Sequence, residues 1–339
     1  MRRCQLACSY RAVVGRTTDI ALQSDGKKYC LMNNLDAQTG YEVIDSDFER
    51  CFVDHAKVEK LWSGGRWCEG PAWFAAGRYL VWSDIPNNRM MRWDDCSGHV
   101  SEFRVPSNNS NGNTVDNQGR LVSCEHLSRS VTRTEIDGTV SVIAGAFEGR
   151  RFNSPNDVVV KSDDSIWFTD PDYGIMSDYE GEAAEPELDS CCVYRVDPDG
   201  SISRVIDSML KPNGLAFSPD ESYLYVSDTG SSHVPAGPRH IRRFELDVDG
   251  TRVLSDTVLC QCDNGLFDGF RLDTGYRLWC SASDGVHCFD RTGRLIGKIR
   301  IPETVSNVTF GGAKRNRLFI TATTSIYSVY LTVNGATLG

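Results

Sequence analysis

The strongest constraint on the fold of this chain is one sequence pattern that occurs six times. Each copy begins with Glu, Asn or Asp, continues with alternating apolar residues, turns at Gly, Asp or Ser, and ends in a second run rich in aromatic and aliphatic residues. Alternation with a period of two, broken by turn residues, is typical of β-hairpins. The copies are EGPAWFAAGRYLVWSD, NGNTVDNQGRLVSCE, NDVVVKSDDSIWFTD, NGLAFSPDESYLYVSD, DGFRLDTGYRLWCSA and NVTFGGAKRNRLFITA.

The spacing of the copies predicts the architecture. Successive copies begin 42, 45, 57, 55 and 39 residues apart. A repeat of about 40 to 50 residues built from short strands is typical of β-propeller blades. We therefore predict an all-β fold, a six-bladed β-propeller with four-stranded blades, in which each copy supplies two inner strands. We call the first residues of the copies the ring residues: Glu69, Asn111, Asn156, Asn213, Asp268 and Asn307.

Closure of the ring sets the domain boundaries. A propeller leaves no open sheet edge only when its first and last blades are joined. The run 57–62, which precedes the first copy, is the expected outer strand of the last blade. Residues 50–335 are thus predicted to form the propeller, and residues 1–49 a partly ordered N-terminal extension. We expect deletion of residues before about 45 to leave the fold intact.

Two repeats carry insertions. Residues 173–190 form an acidic third-blade insertion, and residues 231–239 form a fourth-blade insertion. Loops of this length over a propeller face commonly form lids or pocket walls. Surface decoration is the alternative interpretation for each of them.

Charge and hydropathy exclude several classes of partner. The 36 Lys and Arg against 46 Asp and Glu give a formal charge of −10, which disfavours nucleic acid and anionic membranes as partners. The apolar runs are far shorter than the roughly 18 residues that a membrane-spanning helix needs. We predict a soluble monomer or small homo-oligomer that binds neither nucleic acid nor membrane.

The cysteines indicate the compartment. Their number, 13, is odd, and their spacing is irregular, with no C-x-x-C pair of the kind that binds zinc. Several stand where buried strand residues are expected, so we interpret most as reduced thiols in a cytoplasmic protein. The N-terminal MRRCQLACSYRAVVGR has no sustained apolar core, which disfavours a secretory signal and leaves an organellar transit peptide open.

The ring residues indicate a cation site. Equivalent positions of the blades lie at one height around the axis, and here every occupant carries a side-chain oxygen. Carboxylate and amide oxygens suit a hard cation, Ca²⁺ first, then Mn²⁺ or Mg²⁺, with Zn²⁺ less natural. The alternative is that Asn-Gly and Asp-Gly are simply favoured hairpin dipeptides.

Other polar residues occupy a second shared position, where the second strand of a copy ends. Glu125, Asp170 and Asp228 are interpreted there as strand-end and turn carboxylates. His126 and His287 end strand runs and are candidates for hydrogen bonding to a substrate or for proton transfer, although a structural role is common for such histidines. No G-x-S-x-G, H-E-x-x-H or Walker A motif is present.

Long motifs in the chain resemble the gluconolactonase branch of the senescence-marker-protein (regucalcin)/gluconolactonase family. The similarity runs from about residue 52 to residue 330, nearly the whole chain. It implies a six-bladed propeller with one divalent cation in the central channel and hydrolysis of sugar lactones. The stretches are GGRWCEGPAWF, SNGNTVDNQGRLVSCEH, RFNSPNDVVVKSDDSIWFTDPDYGI, PNGLAFSPDESYLYVSDTG and FDGFRLDTGYRLWCSASDGVH.

The resemblance also implies a ligand set for the cation. It assigns the Glu of EGP, Glu69, the Asn of PNG, Asn213, and the Asp of the later DG, Asp268. An Asn from the intervening blade lines the site as a metal or substrate ligand, with Asn153 and Asn156 as candidates. Asn156 is preferred because it stands 11 residues before Trp167, the spacing that the family shows.

Substrate contacts are less fully implied. The Arg that often lies two residues before that Asn is Ser154 here, and Arg151 is only a substitute candidate. The expected substrate-binding residues are therefore Asn111, Asn153, Arg151 and His126.

These expectations combine into a metal-dependent lactonase that opens a small sugar lactone. Asp268 or Glu69 is expected to accept the proton of the attacking water, and the cation to stabilise the oxyanion. A phosphotriesterase of the diisopropyl fluorophosphatase type and a non-catalytic calcium-binding propeller are the alternatives. Insertions that enclose one face favour hydrolysis over a scaffold role.

Overall fold

Four-stranded antiparallel sheets follow one another along the chain and form the six blades of a propeller. The computed structural model describes residues 40–336. Blades 1 and 2 consist of Cys68–Phe74, Tyr79–Asp84, Arg89–Asp94 and Val100–Arg104, and of Ser110–Val115, Leu121–Glu125, Ser130–Thr134 and Val140–Ala144. Blades 3 and 4 consist of Val158–Val160, Ile166–Asp170, Cys192–Val196 and Ile202–Ile206, and of Pro212–Phe217, Tyr223–Asp228, His240–Leu246 and Val253–Gln261. Blades 5 and 6 consist of Phe270–Leu272, Leu278–Ala282, Gly285–Phe289 and Leu295–Arg300, and of Val305–Gly311, Arg317–Ala322, Ser325–Tyr330 and Glu59–Ser63.

Apart from the two insertions, most connections between strands are short. Ala146–Phe147 and Arg150–Arg151 form a small hairpin after blade 2. None of the helices in the described part of the chain could span a bilayer. These helices are Ser46–Glu49 and the 3₁₀ turns Ile85–Asn87, Tyr173–Ile175 and Gly230–Ser232.

The predicted closure of the ring is confirmed. Glu59–Ser63 pairs antiparallel with Ser325–Tyr330, so the last blade takes its outer strand from the chain segment before the first blade. The apolar core continues across this joint, because Trp82 of blade 1 packs in one cluster with Phe319 and Ile326 of blade 6. The closure therefore joins the first and last blades through both hydrogen bonds and buried side chains.

The hydrophobic core lies between neighbouring blades. Trp82, Trp167 and Trp279 occupy the second strands of blades 1, 3 and 5, and all three are fully buried. Trp167, for example, shares a cluster with residues of blade 4. Some strands pack against a neighbouring blade on each face and are therefore buried on both faces. Because of this, their sequences form continuous apolar runs and not an alternation of apolar and polar residues.

The ten cysteines of residues 40–336 form no disulfide with one another. Most are buried among apolar side chains. Cys4, Cys8 and Cys30 lie outside the described residues.

The N-terminal boundary differs from the sequence expectation. Tyr41–Val43 adds a fifth strand to blade 5, pairing with Gly297 to Ile299, and residues 41–49 therefore belong to the propeller. Phe48, in the following helical turn, is fully buried, with its ring centroid 6.0 Å from that of Trp279. The remaining part of the predicted extension, residues 1–39, lies outside the described residues.

These contacts predict that residues 41–49 stabilise the fold, contrary to the tolerance of deletion that the sequence suggested. Phe48→Ala should lower the free energy of unfolding by about 3–5 kcal/mol, because it removes a fully buried aromatic ring. Chemical denaturation measures this loss. The matched control is Ile44→Ala, since the Ile44 side chain is 49% exposed and its loss should cost about 0.5 kcal/mol or less. Equal stability of the two variants would show that this segment does not hold blade 5.

Candidate active site

A cavity of about 190 Å³ lies where the ring residues meet. This volume is below the roughly 300–1,000 Å³ of sites for drug-sized ligands, and suits a ligand the size of a single sugar. Ring residues from blades 1 to 5 line it: Glu69, Asn111, Asn156, Asn213 and Asp268. The other lining residues are Trp67, Tyr173, Glu180, Thr229, Ser232 and Leu266.

Hydrogen bonds from each blade to the next hold the ring residues in place. The Ser83 hydroxyl of blade 1 donates to the Asn111 carbonyl at 2.8 Å. The Thr169 hydroxyl of blade 3 donates to the Asn213 carbonyl at 2.7 Å. The Asp268 carbonyl accepts from the Ser227 hydroxyl at 2.9 Å. Backbone groups anchored in this way direct their side chains to a common point.

The glycines after the ring residues permit this close approach. The Gly112 amide donates to the Asn156 carbonyl at 2.7 Å, and a Cβ at Gly112 would lie 2.5 Å from that oxygen. At Gly214 a Cβ would lie 2.3 Å from the Asp268 carbonyl oxygen. Both glycines lie inside strands, so the Asn-Gly dipeptides serve the approach of neighbouring blades and not hairpin turns.

Strand irregularities coincide with the ring residues. The strand ladder is interrupted between Glu69 and Ala72 in blade 1, and between Pro212 and Leu215 in blade 4. Bulges of this kind locally re-aim side chains, and they are common beside active sites.

Two carboxylates face the cavity: Glu69, which is buried, and Asp268, which is partly exposed. Glu69 Oε2 accepts hydrogen bonds from the Gly70 amide at 2.6 Å and from Asn307 Nδ2 at 3.0 Å. Glu69 Oε1 is buried and has no hydrogen-bond partner within the described chain. Asn307, the sixth ring residue, thus orients Glu69 and does not line the cavity itself.

The carboxylates of Glu69 and Asp268 together favour the binding of a positive charge. Burial raises the pKa of Glu69 well above its usual value, and the charge of Asp268 adds to the effect. The pKa of Asp268 is likewise raised by burial and by the nearby Glu180 carboxylate. Two ionised carboxylates so close together in a buried site repel each other unless a cation lies between them.

The donor set fits a hard cation. Residues 40–336 hold no group of three or more His, Cys, Asp or Glu side chains arranged to share a metal ion. The set at the cavity instead combines the carboxylates of Glu69 and Asp268 with the amides of Asn156 and Asn213. Oxygen donors alone, with one buried Glu69 oxygen unpaired, match the chemistry of Ca²⁺ or a similar ion.

His126 lies behind the cavity wall and does not line it, in contrast to the sequence expectation. Its Nδ1 is 3.0 Å from the Glu180 carbonyl oxygen, so Nδ1 carries the proton and donates. Its Nε2 then accepts from Asn111 Nδ2 at 3.2 Å, which leaves the Asn111 side-chain oxygen available to the cavity. Burial lowers the pKa of His126 to about 4, so the ring is neutral at physiological pH.

Asn153 and Arg151 also fall outside the cavity. Asn153 is buried in the wall, where its amide groups bind the Asp170 carboxylate at 2.8 Å and the Asp170 carbonyl at 3.2 Å. Arg151 is exposed in the second strand of the small hairpin, and its backbone amide donates to Glu187 Oε2 at 2.8 Å. Of the two candidate asparagines in this blade, Asn156 is therefore the one that lines the cavity.

Both insertions supply walls of the cavity. Tyr173 and Glu180 come from the third-blade insertion, and Ser232 comes from the fourth-blade insertion. The Tyr173 hydroxyl joins the two, lying 2.8 Å from Ser232 Oγ and 2.7 Å from Thr229 Oγ1. In the sequence, the length of the insertions indicated that they form lids or pocket walls. It did not identify which of their side chains face the cavity.

The strand-end carboxylates have structural partners. Asp228 accepts from the backbone amides of Leu210, Lys211 and Gly230 at 2.8, 3.0 and 3.1 Å. Glu125 accepts from Arg104 at 2.8 Å. Neither lines the cavity.

The fold and the cavity define a six-bladed β-propeller with a polar axial site. Residues 67–324 match the SMP-30/Gluconolactonase/LRE-like family, and the chain belongs to this family. It is 31% identical over 318 residues to the gluconolactonase of Zymomonas mobilis, covering 87% of this chain and 82% of that protein. It is 26% identical over 262 residues to the pentonolactonase of Haloferax volcanii, covering 75% of this chain and 80% of that protein. The structure of a gluconolactonase from Xanthomonas campestris superposes with a TM-score of 0.80 at 40% identity, covering 86% of this chain and 94% of that one.

The environment of His126 predicts how it titrates. Its ring-proton NMR resonances should stay unchanged from pH 8 down to about pH 5, because burial lowers its pKa to about 4. In denaturant the same ring should titrate near its ordinary value of about 6.5. The unfolded chain therefore binds this proton first, and His126 reduces stability as the pH falls from about 6.5 towards about 4. Titration of His126 near pH 6.5 in the folded protein would contradict the buried position.

Proposed function

We propose that this protein is a lactonase, a carboxylic ester hydrolase that opens a small sugar lactone. The observation that carries the proposal is the convergence of five oxygen-bearing ring residues, two of them carboxylates, in one cavity of sugar size. The relatives named gluconolactonase and pentonolactonase support the same class of reaction.

We further propose that Glu69, Asn156, Asn213 and Asp268 hold one divalent cation. Ca²⁺ suits this set best, and Mn²⁺, Mg²⁺ and Zn²⁺ are the other candidates. When bound, such a cation polarises an ester carbonyl and stabilises the negative charge that develops on its oxygen.

The side chains around the cation site have separate tasks. The hydroxyls of Tyr173, Thr229 and Ser232 form one polar wall that can hydrogen-bond the hydroxyls of a sugar. The Asn111 side-chain oxygen offers an acceptor on the adjacent wall, since its amide nitrogen is engaged by His126. These contacts orient the lactone with its ester group towards Asp268.

Asp268 is the proposed base. Glu69 is fixed by two donors on Oε2, which suits a ligand more than a proton carrier. The Asp268 carboxylate lines the cavity, where it can take the proton of the attacking water. The sequence left Glu69 and Asp268 as equal candidates for this role.

Asp268→Asn should reduce lactone hydrolysis by about 100-fold or more, because the amide keeps the shape but cannot accept the proton. A pH-stat assay of gluconolactone and a pentonolactone, corrected for spontaneous opening, measures the effect. The control Asp189→Asn removes an exposed carboxylate that pairs with Arg150 and does not line the cavity, and it should retain full activity. Hydrolysis of phosphotriesters without hydrolysis of lactones would overturn the proposal, and so would full activity of Asp268→Asn.

Glu69→Gln should weaken cation binding by about tenfold or more, because it removes one of two carboxylate charges. Calorimetric titration of the metal-free protein with Ca²⁺, Mn²⁺, Mg²⁺ and Zn²⁺ measures the dissociation constants independently of activity. Glu182→Gln, at an exposed position of the third-blade insertion, is the matched control. Unchanged affinity in Glu69→Gln would remove Glu69 from the ligand set.

A further inference from the structure

A third carboxylate lies in the cavity, and the proposed reaction does not use it. Glu180 comes from the third-blade insertion and lines the same cavity as Glu69 and Asp268. It is close enough for its charge to raise the pKa of Asp268. Its own pKa is raised to about 6 by burial, so it is mostly ionised at neutral pH.

The backbone around Glu180 is held firmly. The Glu180 carbonyl accepts from His126 Nδ1 at 3.0 Å. Two residues further on, the Glu182 amide donates to the Gly174 carbonyl at 3.2 Å. Gly181 packs so closely that a Cβ there would lie 2.1 Å from the Gly174 carbonyl oxygen. The backbone of this loop is therefore held in place where the Glu180 side chain lines the cavity.

No basic side chain of residues 40–336 lines the cavity to balance this charge. The lining that these residues form contains three carboxylates and no Lys, Arg or His. Lys211, which lies 5.0 Å above the Tyr173 ring, is already paired with Asp172. A divalent cation at the proposed site would balance two of the three carboxylates and leave one negative charge in excess.

We propose that Glu180 sets the substrate class, admitting neutral sugar lactones and rejecting lactones that carry a phosphate, sulfonate or carboxylate group. This inference rests on the proposed lactonase function. A fixed like charge in a buried site disfavours an anionic ligand, and specificity of this kind is commonly built from a repulsive element. The polar wall of Tyr173, Thr229 and Ser232 accommodates neutral hydroxyls without any charge requirement.

The test compares neutral and anionic substrates on matched variants. Values of kcat/KM are measured for gluconolactone and for gluconolactone phosphorylated on its terminal hydroxyl, at about pH 8, above the pKa of Glu180 of about 6. Glu180→Gln should raise kcat/KM for the phosphorylated lactone by about tenfold and change that for the neutral lactone by less than about threefold. Glu182→Gln should leave both values unchanged.

A binding measurement separates this inference from the proposed reaction. Inhibition or calorimetry gives the dissociation constants of sorbitol and of phosphorylated sorbitol without turnover. Glu180→Gln should reduce the ratio of the phosphorylated to the neutral dissociation constant by about tenfold. If neither lactone is hydrolysed, the proposed function fails while the binding ratio still tests Glu180. If gluconolactone is hydrolysed, and Glu180→Gln changes neither the ratio of the two kcat/KM values nor the ratio of the two dissociation constants, the inference about Glu180 fails alone. If Glu180→Gln loses activity on the neutral lactone while the ratio of the two kcat/KM values stays unchanged, Glu180 is a hydrogen-bonding or catalytic group. That result would overturn its role in selecting substrates by charge.

Discussion

The whole arrangement depends on the hydrogen bonds that join the inner strands of neighbouring blades at the ring residues. In blades 2 to 5 such a bond ends on the backbone carbonyl of the ring residue, as from Ser83 to Asn111 and from Thr169 to Asn213. Because the carbonyls are engaged outward, towards the neighbouring blade, the attached side chains are held at the axis. The glycines that follow, such as Gly112 and Gly214, bring the strands within this bonding distance.

This convergence places like charges together in a buried site. Burial and the charge of Asp268 raise the pKa of Glu69, burial and the charge of Glu180 raise the pKa of Asp268, and Asn307 relieves only one oxygen of Glu69. Such a site is poorly stabilised in isolation and gains most from binding a cation, which is how functional sites often differ from the rest of a fold. The blades around it are apolar and closely packed, so they supply the stability that the centre lacks.

The candidate site could be predicted from the sequence only where the repeat itself places a residue. Glu69, Asn111, Asn156, Asn213 and Asp268 share one position of the repeat, and a local pattern is sufficient to identify it. Arg151, Asn153 and His126 lie outside that position. Arg151 is exposed, and the side chains of Asn153 and His126 bind backbone carbonyls in the wall. Tyr173, Glu180 and Ser232 lie in insertions without a repeat, so no pattern indicates which of their side chains face inward.

By itself, the sequence determined the number of blades, the strand alternation, the closing strand and the ring of oxygen donors, because each depends on short-range periodicity or on a repeated position. Only the tertiary structure decided the rest. Tyr41–Val43 is a three-residue strand whose partners, Gly297 to Ile299, are about 250 residues away, and no local pattern encodes such a pairing. The same holds for the contact of His126 with the Glu180 backbone and for the third carboxylate in the cavity, which arise only when the insertion folds back over the ring.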